Sequence, residues 1–152
     1  MRALIQRVSR ASVSVGSILH NEIEHGMVVF LGVSAADTPA AAAHLAQKCA
    51  DLRIFEDQGG KMNLSIKEAG GSALVVSQFT LYADSSRGNR PSFTEAARPE
   101  MAEELYGKFV GHLQKELGDP KVRTGVFRAR MDVQLTNSGP VTVMIESKGH
   151  AS

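Results

Sequence analysis

Apolar and polar positions alternate with period two at both ends of this chain, and two stretches between them carry a helical period. Residues 2–8, 11–15 and 18–24 read as strands. Residues 27–33 follow as an unbroken apolar run, which predicts a strand covered on both faces. Asp37-Thr38-Pro39 then supplies an N-cap with proline at the first helical position, and Ala42, Leu45, Ala46, Cys49 and Leu52 make one helical face. A second β-rich run spans 72–82, bounded by Gly70-Gly71 and a polar loop at 84–91. Pro99 opens another helix, in which Met101, Leu105, Phe109, Leu113 and Leu117 recur every four residues until Gly118 and Pro120 close it. Near the end, Met131, Val133 and Leu135 alternate with polar neighbours, and Val141, Val143 and Ile145 do the same. The order β-rich, α, β, α, β predicts a single α+β domain over residues 1–152 with mostly antiparallel strands and two main helices.

Between the last two alternating runs lies Asn137-Ser138-Gly139-Pro140, where one strand is predicted to turn into the next. Hairpin turns usually carry Asn-Gly or Asp-Gly; here proline follows the glycine and removes a backbone donor. The tertiary amide narrows the trans preference to about 0.5–1 kcal/mol, so a cis bond holding carbonyls in a rigid arrangement stands beside an ordinary tight turn as a reading.

Composition limits the classes of function. At 16.3 kDa and 43% hydrophobic residues the chain suffices for one compact domain. A formal charge of +1 supplies no global field for wrapping a polyanion, so any nucleic-acid contact is expected to be local. No run of about 18 apolar residues occurs and the first residues lack the core of a signal peptide, so a soluble, cytoplasmic protein without membrane contact is expected. Cys49 is the only cysteine, which excludes an intramolecular disulfide and a cysteine metal cluster; its place on an apolar stripe suits the core.

His20, His25, His44, His112 and His150 show no metal-ligand spacing. Nucleophile-elbow, phosphate-loop and dinucleotide motifs are absent too. What stands out is Ser77-Gln78-Phe79-Thr80, three hydrogen-bonding side chains at the end of a buried strand. Each costs about 1–3 kcal/mol if buried unpaired, so they face a ligand or the solvent side of the strand. Arg87, Arg90 and Arg98 form one basic cluster, and Lys121, Arg123, Arg128 and Arg130 a second; they are phosphate ligands or solvated surface charges. Phe93 and Phe127 stand inside these clusters, where an aromatic stacks on a base or belongs to the core.

Four segments together resemble one family, the D-aminoacyl-tRNA deacylases, also called D-tyrosyl-tRNA deacylases: residues 1–8 (MRALIQRV), 60–65 (GKMNLS), 77–81 (SQFTL) and 137–142 (NSGPVT). The resemblance runs nearly the full chain. It implies a barrel-like homodimer without cofactor or metal, in which a cis Gly139–Pro140 enters the partner's pocket beside Ser77, Gln78, Phe79 and Thr80. It also implies hydrolysis of the ester between a D-amino acid, or glycine, and the terminal adenosine of tRNA. Arg7, Arg90, Phe93, Phe127, Met131 and Asn137 would hold the tRNA 3′ end. In family terms, backbone amides near Phe79 and Thr80 hold the scissile carbonyl and the terminal 2′-hydroxyl helps to activate water; a nucleophilic Thr80 ranks second, since no base occupies a motif position. Such an ester is already activated, so positioning and a few oxyanion donors can replace a triad. Rejection of L-substrates by Gly139–Pro140 would be steric. In one place the chain departs from the family pattern Phe-Gly-Ala-x-Met, with Arg128 in the glycine's place in Phe127-Arg128-Ala129-Arg130-Met131. The rival readings are a non-catalytic RNA-end binding module and a small-molecule esterase or amidase.

Overall fold

The computed structural model describes residues 1–147; His150 lies outside the described residues. The first two predicted strands are one, β1 (Arg2–Val15), which passes through exposed Ser9 and Arg10 with a register irregularity instead of a break. Gly16 and Ser17, both at positive φ, make the two-residue turn into β2 (Ile18–Ile23), as a right-twisted hairpin requires. β3 (Gly26–Gly32) pairs antiparallel with β1 and parallel with β6 (Ser72–Ser77), and β6 pairs parallel with β7 (Val122–Thr124). The resulting mixed sheet has the order β2-β1-β3-β6-β7, with β8 (Met131–Glu146) also on β1.

β3 and β6 are covered on both faces, which explains their unbroken apolar runs. Met27, Val29, Leu31, Ala73 and Val75 face a core shared with helices α1 (Pro39–Asp51) and α3 (Pro99–Leu117). Val28, Leu74 and Val76 face a second cluster with Val8, Ala11 and Val13, inside the curve of the sheet. The predicted helices start as expected: the Thr38 side chain accepts from the Ala41 amide, and Pro99 is the first residue of α3. Cys49 is fully buried on α1, and burial pushes its thiol up to about 12, so it serves as core. A small β4 (Phe55–Glu56) and β5 (Met62–Leu64) hairpin and the four-residue α2 (Ile66–Ala69), held by a Ser65–Glu68 capping box, complete the order.

Two further expectations are corrected. The run 72–82 is not one strand: β6 ends at Ser77, and Phe79–Tyr82 is a 3-10 turn. The turn folds back onto the end of β3, where the Gln78 amide donates to the Leu31 carbonyl at 2.8 Å. A Cβ on Gly32 would lie 3.0 Å from Leu81 Cβ, so this approach depends on glycine. Nor does the chain reverse at residues 137–140. Both alternating runs belong to β8 and pair with β1, from Val15↔Met131 to Arg2↔Glu146, rather than with each other. Val8 faces Asn137 and Gln6 faces Thr142, so residues 138–141 loop out of the ladder opposite Arg7 alone. The Gly139–Pro140 peptide within that loop is cis.

Candidate active site

A cleft of about 590 Å³ opens where the end of β6, the 3-10 turn, the start of α3 and the start of β8 converge. Its walls include Ser77, Gln78 and Phe79 from one side and Phe127, Met131 and Val133 from the other. Ala96, Ala97 and Ala102 leave the intervening volume empty. Phe79 is 56% exposed and meets Phe93 edge to face, with centroids 5.0 Å apart, so the two rings form a partly uncovered apolar surface. Burial keeps the Tyr106 phenol above its usual range and hence neutral; it donates to the Val75 carbonyl at 2.8 Å and leans on Phe127. Met131 sits where a side chain on Gly125 would stand, at 2.7 Å from the Cβ position, and its sulfur accepts from the Val126 amide at 3.4 Å.

The 3-10 turn brings the amides of Phe79 and Thr80 to the head of a helical turn, where the first donors have no partner within the turn. Arg2 braces this turn from behind: its Nη1 donates to the Leu81 carbonyl at 2.7 Å, its guanidinium lies 4.5 Å from the Tyr82 ring centre, and its Nε pairs with Glu146 at 3.1 Å. The Gln78 side-chain amide donates to the Thr80 hydroxyl, so that hydroxyl faces a donor rather than a base.

The looped-out segment has a different construction. Arg7, only 7% exposed, donates from Nε to the Ser138 carbonyl at 2.8 Å and from Nη1 to the Ile54 carbonyl at 2.9 Å, with Glu56 3.6 Å from Nη2. Asn137 closes the neck of the loop: its Oδ1 accepts from the Val141 amide at 2.7 Å and its Nδ2 donates to the Val141 carbonyl and the Thr142 hydroxyl. Gly139 and Pro140 are left exposed at the tip.

Of the predicted site residues, Ser77, Gln78, Phe79, Phe93, Phe127 and Met131 share the cleft, and Thr80 adjoins it through Gln78. Arg7, Asn137, Gly139 and Pro140 do not. Asn137 lies four residues past Val133 on the same strand, about 13 Å along it. Arg7 and Asn137, expected at the tRNA end, are engaged within the chain in shaping the loop. Arg90 stands on an exposed loop pinched shut by Asp84 and Ser92, whose backbones exchange bonds of 2.7 and 2.8 Å. Two contributors escaped the sequence reading: Arg2, 79 residues from its partner Leu81, and the alanines whose smallness makes the cleft. No local pattern marks either.

Residues 4–146 match a family model described as D-Tyr-tRNA(Tyr) deacylase. The chain is 57% identical over 148 residues to a D-aminoacyl-tRNA deacylase of Symbiobacterium thermophilum and 54% identical over 147 residues to one of Chlorobaculum tepidum, each alignment covering 97% of both proteins. A solved structure described as a c-Myc DNA unwinding element binding protein superposes with a TM-score of 0.94 at 40% identity, over 98% of this chain and 100% of that one. Another, described as a probable eukaryotic D-amino acid tRNA deacylase, shares the fold with a TM-score of 0.82 at 17% identity, over 95% and 98%.

Proposed function

This chain belongs to the D-Tyr-tRNA(Tyr) deacylase family, and from that premise we propose that it hydrolyses the ester of D-aminoacyl-tRNA at the 3′-terminal adenosine, as a homodimer in which the Gly139–Pro140 loop of one copy completes the cleft of the other. The observation that carries this reading is the separation of cleft and loop within one chain. The cleft contains no residue of the loop, and the loop is braced from its root and left exposed at its tip. A backbone braced at its root and exposed at Gly139 and Pro140 suits insertion into a second copy, whose two-fold symmetry would build two equal sites.

The chemistry requires little from side chains. The terminal adenosine would occupy the cleft with its base against Phe79 and Phe93, which offer a π-face and apolar area. The amides of Phe79 and Thr80 would hold the carbonyl oxygen of the ester as negative charge develops on it during attack by water. The neighbouring ribose 2′-hydroxyl would orient that water, and the 3′-oxygen leaves carrying the proton that the water releases. Thr80 contributes its backbone, because its hydroxyl receives a hydrogen bond from Gln78 and has no base beside it to raise its nucleophilicity. The partner's loop would present backbone oxygen to the α-amino group and fill the volume where an L side chain projects. A glycyl ester lacks that side chain and would be accepted.

Incubation with D-tyrosyl-, L-tyrosyl- and glycyl-tRNA, followed by quantitation of free amino acid, tests the reading. Release from the D-tyrosyl and glycyl substrates with the L-form spared is the expected result. Binding of all three without release would make the protein an RNA-end binding module instead.

A further inference from the structure

The cleft holds one charged residue in an otherwise neutral lining. Of its fifteen lining residues Arg128 alone carries a charge; the rest are apolar, small or uncharged polar. Its backbone is unusual as well. Val126 to Ala129 form a turn closed by an amide-to-carbonyl bond of 3.2 Å, and Arg128 occupies its third position with φ +68°. A turn of this kind favours glycine there, because a side chain crowds the backbone when φ is positive. Among the described residues only Ser17, in the β1–β2 hairpin, is another non-glycine residue at positive φ. The Arg128 side chain is 57% exposed and pairs with Glu100, itself 79% exposed, at 3.2 Å. Such a pair is weak and easily exchanged for another anion.

We propose that Arg128 is the anchor for the 5′-phosphate of the terminal nucleotide, releasing Glu100 and engaging the phosphodiester when the aminoacyl end enters the cleft. This rests on the reading of the cleft as an aminoacyl-adenosine site. A terminal adenosine in tRNA brings one phosphodiester with it, and a charged group cannot follow the base into an apolar pocket without a partner. It must stop at the rim, where Arg128 is the lining cation. The planar guanidinium suits two phosphate oxygens at once. Arg128 is thus a positioning residue: it touches no reacting atom and acts by fixing the register of the ester against the Phe79 and Thr80 amides.

The experiment compares three D-tyrosyl esters: of adenosine, of adenosine 5′-phosphate, and of tRNA. In the unaltered protein the 5′-phosphate is expected to raise kcat/KM about tenfold at low salt, as one charge-assisted contact would. In Arg128→Gln this preference for the phosphorylated ester disappears, with KM carrying most of the change, and Arg128→Lys recovers part of it. On tRNA, Arg128→Gln also flattens the slope of log kcat/KM against log salt by about 0.7, the loss of one contact to a single strand. Glu100→Gln, which frees the guanidinium, strengthens the preference. If Arg128→Gln retains the full preference for the 5′-phosphate, Arg128 is a surface residue and the assignment fails. If the unaltered protein cleaves none of the three esters, the deacylase reading itself is what fails.

Discussion

The cleft at Ser77 and the loop at Gly139 differ in how they are made. The cleft is formed by absences: Gly32 admits the 3-10 turn, Gly125 admits Met131, and three alanines leave the volume open. The loop is formed by a burial: Arg7 is taken out of water and saturated with two carbonyls and a nearby carboxylate so that Gly139 and Pro140 can stand out of the ladder. A surface shaped by small residues is sensitive to added volume, and changes in it cost the fold little. A loop rooted on a buried guanidinium is sensitive to the loss of that one group, because the carbonyls it serves would be left unpaired.

The largest effect tests whether the halves meet across a subunit boundary. Gly139→Ala in one preparation adds a Cβ 2.8 Å from Val141 Cγ2 and 3.1 Å from Arg7 Nη2, at φ +142°, and should disable the loop. Ala97→Phe in another should fill the cleft. Each alone is expected to lose nearly all deacylation. Mixing them through a cycle of unfolding and refolding should restore roughly a quarter of wild-type activity, since half the dimers then hold one intact site. A mixture as dead as its components would place both halves in one chain.

Next in size, Arg7→Ala should lower stability by about 2–4 kcal/mol in urea titration and reduce deacylation far more than that loss of folded protein explains. Phe79→Ala should impair function while sparing stability. With a ring already 56% exposed, it should cost under about 1 kcal/mol of stability while raising KM about tenfold through the lost stacking surface. If Phe79→Ala is the more destabilising of the two, the contrast between a rooted loop and an open cleft does not hold. The smallest effect is reserved for Thr80→Ala, for which single-turnover assays should show a loss of no more than about tenfold, whereas removal of a true nucleophile costs on the order of a thousandfold or more.

Much of the architecture was legible because local rules and tertiary packing agree. Thr38-Pro39 and Pro99 start helices where they stand, and the four-residue period of Met101 to Leu117 marks the face that α3 buries. The continuous apolar run of β3 correctly implied cover on both faces. Where they disagree, the local pattern misleads. The alternation around Asn137 identified strands but not their partner, and a hairpin and a loop on a continuous edge have the same local pattern; only the pairing of both runs with β1 separates them. Phe79–Tyr82 looked like a strand because its residues are β-formers, yet the contact with Gly32 on another strand turned it into a 3-10 segment.

From sequence alone follow the α+β order of elements, the two main helices, the core cysteine and, through four ordered segments, the family. These properties depend on neighbours along the chain or on motifs that keep their spacing. Tertiary structure alone decided that Arg7 and Asn137 serve the loop, that Arg2 braces the 3-10 turn, and that Arg128 is the single charge on the cleft wall. Each depends on groups tens of residues apart or on what lines an empty volume. A long cationic side chain reads the same in sequence whether it is solvated, buried or aimed at a ligand, and only its surroundings in the folded chain distinguish the three.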